Sequence, residues 1–526
     1  MTTPAVPFGT VRAPNAMVAT ADALATQAGL AMLVLGGNAV DAAIAANAVL
    51  AVCDPHLCGL GGDLFALVWH DGQVHALDAS GRAGSGTTAA ELRAQGHQAV
   101  PFRHHVSAVT VPGCVDGWTT LHARFGRLPL PEVLAPARRL AADGFPASPL
   151  LVGSLALVDP RGRAQLHELA DQARHPGDRV CRPGVARTLA AIAVGGREAF
   201  YEGEFGAGLL RLGDGHFSPA DLAAGQATWV EPLGADVFGH RLWTLPPASQ
   251  GYLTLGALRL ADALELPTDP DDDRWAHLLV EAAIAAGRDR PEVLHEGADG
   301  EALVRAVAGR GSEIDPERAT LRWAPAADGD TTYLCVVDDE GMGVSLVQSN
   351  ASGFGSWLVE PSTGINLHNR GMGFTLEPGH PAELAPGRRP PHTLCPALAT
   401  RADGSLAAVV GTMGGDAQPQ VLLQVAVRLW HHGQSPAEAI ASGRFALRGP
   451  ATGFDTWTAP AGPVVAVEGH AAPAWLEGLR ARGHRVEAGP AYDSGFGHAH
   501  MIQVRDDGMR LGAADPRARI GSCAGR

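Results

Sequence analysis

The chain has 526 residues, 46% hydrophobic and 18% charged, with a formal net charge of −15. That length can bury an extensive core, and 66 glycines point to many tight turns between short elements. The chain has no lysine, and an acidic sequence without a basic cluster excludes the electrostatic footprint of nucleic-acid binding.

Seven cysteines (Cys53, Cys58, Cys114, Cys181, Cys335, Cys395 and Cys523) are odd in number, scattered and never in a CxxC spacing. Reduced, mostly buried thiols are expected. Residues 1–19 lack a basic stretch followed by an apolar one, and nothing later offers about 18 uninterrupted apolar residues. These features predict a soluble cytoplasmic protein with no membrane contact.

Residues 22–35 carry apolar side chains at helical spacing, Gly36-Gly37-Asn38 supplies a stop, and residues 39–52 resume an alanine-rich helical pattern. Residues 65–69 and 74–77 read as strands around the Asp71-Gly72 turn, which makes a hairpin. The middle, residues 112–308, is read as mainly helical and covering a sheet, with helix-like patterns at 255–264 and 275–286. Residues 309–330 turn polar and small and predict a mobile segment. Strands follow at 331–337 and 343–348, around an acidic turn at 338–341.

The first residue of that strand pair carries chemical interest. A Thr directly after a flexible loop has a hydroxyl that could attack the preceding carbonyl, that of Asp330, to give an ester that water opens. The new α-amine, with an ordinary pKa of about 7.7–8.0, could then take the hydroxyl proton of Thr331 and activate it. Taken alone, Asp330-Thr331-Thr332 also fits an ordinary strand start, because Thr is common in strands. No GxSxG, HExxH or P-loop string occurs.

Further blocks decide between these readings. Thr331-Thr332-Tyr333, Val336-Val337-Asp338, Gly341, Val344-Ser345, Ser349 and Gly353-Phe354-Gly355-Ser356 resemble the small-subunit start of gamma-glutamyltransferases. GGNAVDAA at 36–43, GLGGD at 59–63, Gly364 with Asn369-Arg370-Gly371, and GTMGGDAQPQ at 411–420 extend the resemblance from about residue 15 to 520. The resemblance implies a four-layer αββα sandwich of the N-terminal nucleophile hydrolase type, in the α/β (α+β) class. It implies scission between Asp330 and Thr331 into a large segment (1–330) and a small segment (331–526). Both would contribute to one sandwich domain and stay together as a heterodimer.

By the same resemblance Thr331 is the nucleophile, Ser349 orients it, and the amides of Gly414 and Gly415 form the oxyanion hole. Arg82 lies near the family's carboxylate-binding arginine, although strict counting puts Ser80 there. It is read either as a substrate anchor or as a structural ion pair. His392-Thr393 stands where glutathione-processing members carry a serine pair, so Thr393 is a candidate substrate contact. The positions that hold a substrate α-amine in those members are Ala351 and Gly373 here. Arg370 between them would repel an ammonium and attract a carboxylate or a carbonyl. Asp416 is read either as a replacement anion or as a loop hydrogen-bonder.

Asn369-Arg370-Gly371 and Gly415-Asp416 look more like the cytoplasmic branch that includes oxamate amidohydrolase and cephalosporin acylases. The function implied is amide hydrolysis or acyl transfer on γ-glutamyl compounds such as glutathione. The alternatives are an amidohydrolase or acylase for amine-free acid amides, and an uncleaved scaffold without catalysis. His498 and His500 share a strand face, but no carboxylate or cysteine spacing completes a site, so a packed or solvated pair is expected. No metal and no cofactor are expected, and the partners are a small-molecule amide and the chain's own second fragment.

Overall fold

A computed structural model describes residues 8–320, 331–449, 452, 454–458 and 463–526. Two seven-stranded antiparallel sheets form its centre. One runs, edge to edge, through Ser522–Gly525, Met17–Thr20, Thr332–Val337, Gly343–Ser349, Asp63–His70, Gln73–Ala79 and Thr228–Val230. The other runs through Val11–Ala13, Arg510–Ala513, Ala499–Val504, Leu406–Thr412, Ala397–Thr400, His240–Thr244 and Leu233–Val237. Each sheet mixes strands from before and after Thr331.

The side-chain alternation of these strands sorts the core into layers. Phe65, Leu67, Tyr333, Cys335 and Val347 meet Leu398, Val409 and Ile502 between the sheets. On the outer face of the first sheet Leu64, Ala66, Leu334 and Val336 pack on the helices Ala23–Val34 and Ala39–Cys53. On the outer face of the second sheet Ala399, Val410 and Met501 pack on Gly251–Ala263, Asp273–Gly287 and Gln418–Ala426. The result is the four-layer αββα sandwich that the resemblance implied. Strands covered on both faces read as continuous apolar runs, not alternating ones.

The first two helices form where expected, and their caps explain their ends. The Asp22 carboxylate accepts the Leu24 N–H at 2.6 Å. Asn38 accepts from Val40 and Asp41 while Asp41 returns a bond to the Asn38 N–H, a reciprocal capping box. Asp338, in the acidic turn, accepts the Ala39 N–H at 2.9 Å and so places a carboxylate at the N-terminus of the buried helix. The hairpins also form as expected, at Asp63–His70 with Gln73–Ala79 and at Thr332–Val337 with Gly343–Ser349.

The middle region differs from the sequence reading. It contains three strands, Thr228–Val230, Leu233–Val237 and His240–Thr244, that close one edge of each sheet. Of the segment expected to be mobile, Gly311–Glu313 forms a single helical turn and residues 321–330 lie outside the described residues. All seven cysteines are free thiols. No helix among the described residues is long and apolar enough to cross a membrane.

A buried ionic cluster joins the C-terminal strands to the helical layer. Asp515 accepts from Arg444 at 2.6 Å and from Arg517 at 3.1 Å, and Arg517 also binds Glu468 through Nε at 2.8 Å. All four side chains are buried. Burial opposes the charge on Asp515, but Arg444 and Arg517 outweigh it and hold the carboxyl well below the usual range. Asp515→Asn strands buried guanidinium charge, and the expected loss is about 3–5 kcal/mol. Scanning calorimetry should show a lowered Tm, and an unchanged Tm would contradict this account of the cluster.

Candidate active site

The site is built where the two sheets face each other at one end. Tyr333, Cys335 and Val337 point between the sheets, so by alternation Thr331 does too. Thr331 is fully buried, and its Oγ1 lies 3.1 Å from the Oγ of Ser349 on the neighbouring strand. Register sets this approach, because Thr332 pairs with Gln348. Ser349 Oγ also accepts the Ala351 N–H at 2.8 Å. Asp330 lies outside the described residues.

The GLGGD loop needs its glycines because it runs against this turn. A Cβ on Gly62 would sit 2.4 Å from the Ser349 carbonyl oxygen, and one on Gly61 would sit 2.3 Å from that of Asn366. The Gln348 amide clamps the loop by accepting from Gly59 N at 3.0 Å and donating to Gly59 O at 2.7 Å. A cleft of about 620 Å³ lies alongside, lined in part by Arg103, Ser352, Gly353, Phe354 and Ser494.

The strand Leu406–Thr412 crosses beneath Tyr333 and leads into the second glycine loop. Gly414 has φ +134° and Gly415 φ +54°, conformations that L side chains rarely adopt. Neither the Gly414 nor the Gly415 N–H has an acceptor among the described residues. Two unengaged amides on a glycine turn have the chemistry of an oxyanion hole. Gln250 fixes the loop by donating to both Gly415 O at 3.0 Å and Thr393 O at 2.9 Å.

Arg370 is the most informative charge here. Its side chain is buried, and Nη1 donates to Thr393 Oγ1 at 3.1 Å. Nε and Nη2 are also buried and have no hydrogen-bond partner among the described residues. Burial pushes its pKa down to about 10, against the pull of Asp63, so it stays cationic at neutral pH. A buried cation with unused donors suits an anion. Arg370 is tied to the turn after Ser349, because Asn369 N donates to Asn350 O at 3.2 Å.

The two positions that the resemblance assigns to an α-amine offer it no side-chain group. A side chain at Gly373 would meet the Pro391 carbonyl oxygen at 2.5 Å, and Ala351 is fully buried at φ +72°. Asp416 is engaged elsewhere. Its Oδ2 accepts the Thr456 N–H at 3.2 Å, as in the loop hydrogen-bonder reading, while its buried Oδ1 lies 3.6 Å from Arg290 and has no hydrogen-bond partner among the described residues. Arg82 is also engaged, since its Nη1 lies 2.9 Å from Glu296 and 2.8 Å from Gly387 O. Ser80 is buried and donates to Asp78 at 2.6 Å. His498 and His500 are packed, His498 against Ser494 at 2.8 Å and His500 accepting the Asp515 N–H at 3.2 Å.

Sequence reasoning missed Asp63 as a hub. Its Oδ1 accepts the Gly81 and Gly113 amides at 3.0 and 3.2 Å, and its Oδ2 lies 3.3 Å from His392 Nε2 and 3.4 Å from His368 Nδ1. Burial would raise its pKa, but the two imidazoles outweigh that and hold it well below the usual range. His392 thus anchors to Asp63, and Thr393 is left to face Arg370. The signal was present in the last residue of GLGGD, but its histidine partners, His368 and His392, stand far later in the chain.

A model of the gamma-glutamyltranspeptidase family matches residues 25–524. The chain is 34% identical to the glutathione hydrolase-like YwrD proenzyme of Bacillus subtilis, over 95% of this chain and 97% of that one. It is 36% identical to the oxamate amidohydrolase proenzyme of Klebsiella pneumoniae, with the same shares. Among solved structures, a cephalosporin acylase from Bacillus halodurans aligns with a TM-score of 0.89 at 33% identity, over 100% of this chain and 99% of that one. With agreement that runs nearly end to end and extends to the fold, this chain belongs to the gamma-glutamyltranspeptidase family.

Proposed function

We propose that this chain is an amide hydrolase that activates itself by scission between Asp330 and Thr331 and then acts on amides of small acids bearing a carboxylate but no α-amine. The observation that carries the reading is Arg370, a buried guanidinium with two unused donor atoms beside Thr393. Ala351 and Gly373 add weight, because neither offers a group for an ammonium. Relatives named for oxamate and cephalosporin chemistry support the same direction.

In the first step Thr331 Oγ1 attacks the Asp330 carbonyl carbon, and the peptide C–N bond breaks as the nitrogen takes a proton. Water then hydrolyses the resulting ester and releases the Asp330 carboxyl and a free Thr331 α-amine. In turnover that amine accepts the hydroxyl proton as Oγ1 attacks the substrate amide. The Gly414 and Gly415 amides stabilise the tetrahedral oxyanion, and loss of one such donor typically costs about 10²–10³ in rate. The amine leaving group takes the proton from the Thr331 α-ammonium, and water hydrolyses the acyl ester to regenerate the hydroxyl. Transfer to an amino acceptor would use the same acyl ester.

A γ-glutamyl or glutathione substrate would need an anion for its ammonium, and Asp416 is already engaged by Thr456 and Arg290. We place the processed enzyme in the cytoplasm as a heterodimer of its two fragments. Seven free thiols fit a reducing compartment, and strands from both sides of Thr331 interleave in each sheet.

The wild-type chain should run on a denaturing gel as two bands of about 34 and 20 kDa, dividing 54.4 kDa by fragment length. Thr331→Ala should run as one uncut band and have no activity, and normal turnover by that variant would sink the mechanism. Arg370→Met should leave cleavage intact and raise KM for a carboxylate-bearing amide by about 10- to 150-fold, the loss of one charge-assisted bond of about 1.5–3 kcal/mol. Arg82→Ala should change KM far less. Equal effects of the two substitutions on steady-state KM would remove Arg370 from carboxylate binding.

A further inference from the structure

His277 and Glu281 stand one turn apart on the buried helix Asp273–Gly287. His484, also buried, sits in the turn between the helix Pro473–Ala481 and the strand Val486–Ala488. The ion pair of Arg482 with Asp273, at 2.6 Å, clamps that turn onto the start of the helix. His277 Nδ1 lies 2.8 Å from His484 Nε2, and His484 Nε2 lies 3.7 Å from Glu281 Oε1. One ligand atom from each of the three residues falls within 4.8 Å of the others.

The hydrogen bonds around the cluster fix its chemistry. His277 Nε2 lies 2.8 Å from the Asp315 carbonyl oxygen, which can only accept, so Nε2 carries the proton. Nδ1 then turns its lone pair toward His484 and Glu281. A ring whose far N–H is held by a backbone carbonyl is the usual second contact of a metal-bound imidazole. Glu281 takes the Thr320 N–H at 3.3 Å and the Thr320 hydroxyl, and no arginine pairs with it among the described residues. A bond from His484 Nε2–H to His277 Nδ1 would account for the two rings, but it gives Glu281 no cation.

We propose that His277 Nδ1, His484 Nε2 and the Glu281 carboxylate form a site for a divalent transition ion, zinc being the ion they suit best. Two imidazoles and a carboxylate are a recurrent three-ligand zinc set with one position left for water or another oxygen. With bonds of about 2.0–2.1 Å, neighbouring ligands of a tetrahedral ion stand about 3.3 Å apart. The 2.8 and 3.7 Å separations bracket that value, and all three ligand atoms lie within 4.8 Å of one another, so binding an ion would draw them together. The ion would join residues from both sides of Thr331 and pin the backbone around Asp315 and Thr320, which leads toward the proposed scission point. Sequence analysis expected no metal, because His484 stands 207 residues from His277 and no local spacing joins them.

The test uses the full chain, stripped with a chelator, desalted and titrated with zinc against a chromophoric competitor, with circular dichroism to confirm folding. One zinc per chain is expected, with affinity at least about tenfold weaker in Glu281→Gln and in His484→Gln. Cobalt added to the wild-type chain should develop visible d–d bands of a low-symmetry nitrogen and oxygen site, a readout that stands even if a variant fails to fold. Wild-type protein that binds no zinc and leaves cobalt with its aqueous spectrum would overturn the proposal. So would folded variants that bind zinc as tightly as the wild type.

Discussion

The closeness of the two sheets at Gly411 is the constraint on which the rest of the site depends. A Cβ at that position would lie 2.2 Å from the Tyr333 ring, so only glycine lets the strand of the oxyanion loop pass under the strand that carries Thr331. Tyr333 is held from its other side by Ser345, hydroxyl to hydroxyl at 3.0 Å, and stacks on His500, the cross-strand partner of Gly411. Thr331 and the Gly414-Gly415 turn therefore stand at the ends of rigid strands from different sheets, and packing sets their approach. Loops complete the site. GLGGD leans on the Ser349 turn, and the Gly414-Gly415 turn is tied to Thr393 through Gln250.

Charge then divides recognition from support. Asp63 and Arg82 have structural partners, and Asp416 has a hydrogen bond to Oδ2 and an ion pair to Oδ1, whereas Arg370 keeps two buried donor atoms without a hydrogen-bond partner among the described residues. Buried donor atoms left without a partner are costly unless a ligand completes them. A carboxylate supplied by substrate does so, and the empty amine positions at Ala351 and Gly373 remove the usual demand for a second charge. On the proposed reading, this is what would distinguish the site from one built for glutathione.

Much of this was legible in the sequence where the signal is local. The Gly36-Gly37-Asn38 stop, the Asp71-Gly72 hairpin and the Thr331 strand could be read from a few adjacent residues. The strands between Thr228 and Thr244 could not, because each spans only three to five residues, shorter than any periodicity window. The layer order was invisible for another reason: strands buried on both faces lose the alternation that reveals an inner and an outer side. At the site, the glycine motifs and Arg370 stood out. The partners of Asp63 and the His277–Glu281–His484 cluster did not, because only folding brings them together.

The central claim is that this site selects an acid without an α-amine. The most direct measurement is a competition assay on purified, processed enzyme that offers γ-glutamyl anilide, glutathione, a glutaryl amide and oxamate under identical conditions. The expected ranking places oxamate or the glutaryl amide first by kcat/KM, with both γ-glutamyl compounds well behind. Preference for γ-glutamyl anilide or glutathione would contradict the claim and would require an ammonium-binding group that Ala351, Gly373 and Asp416 do not supply.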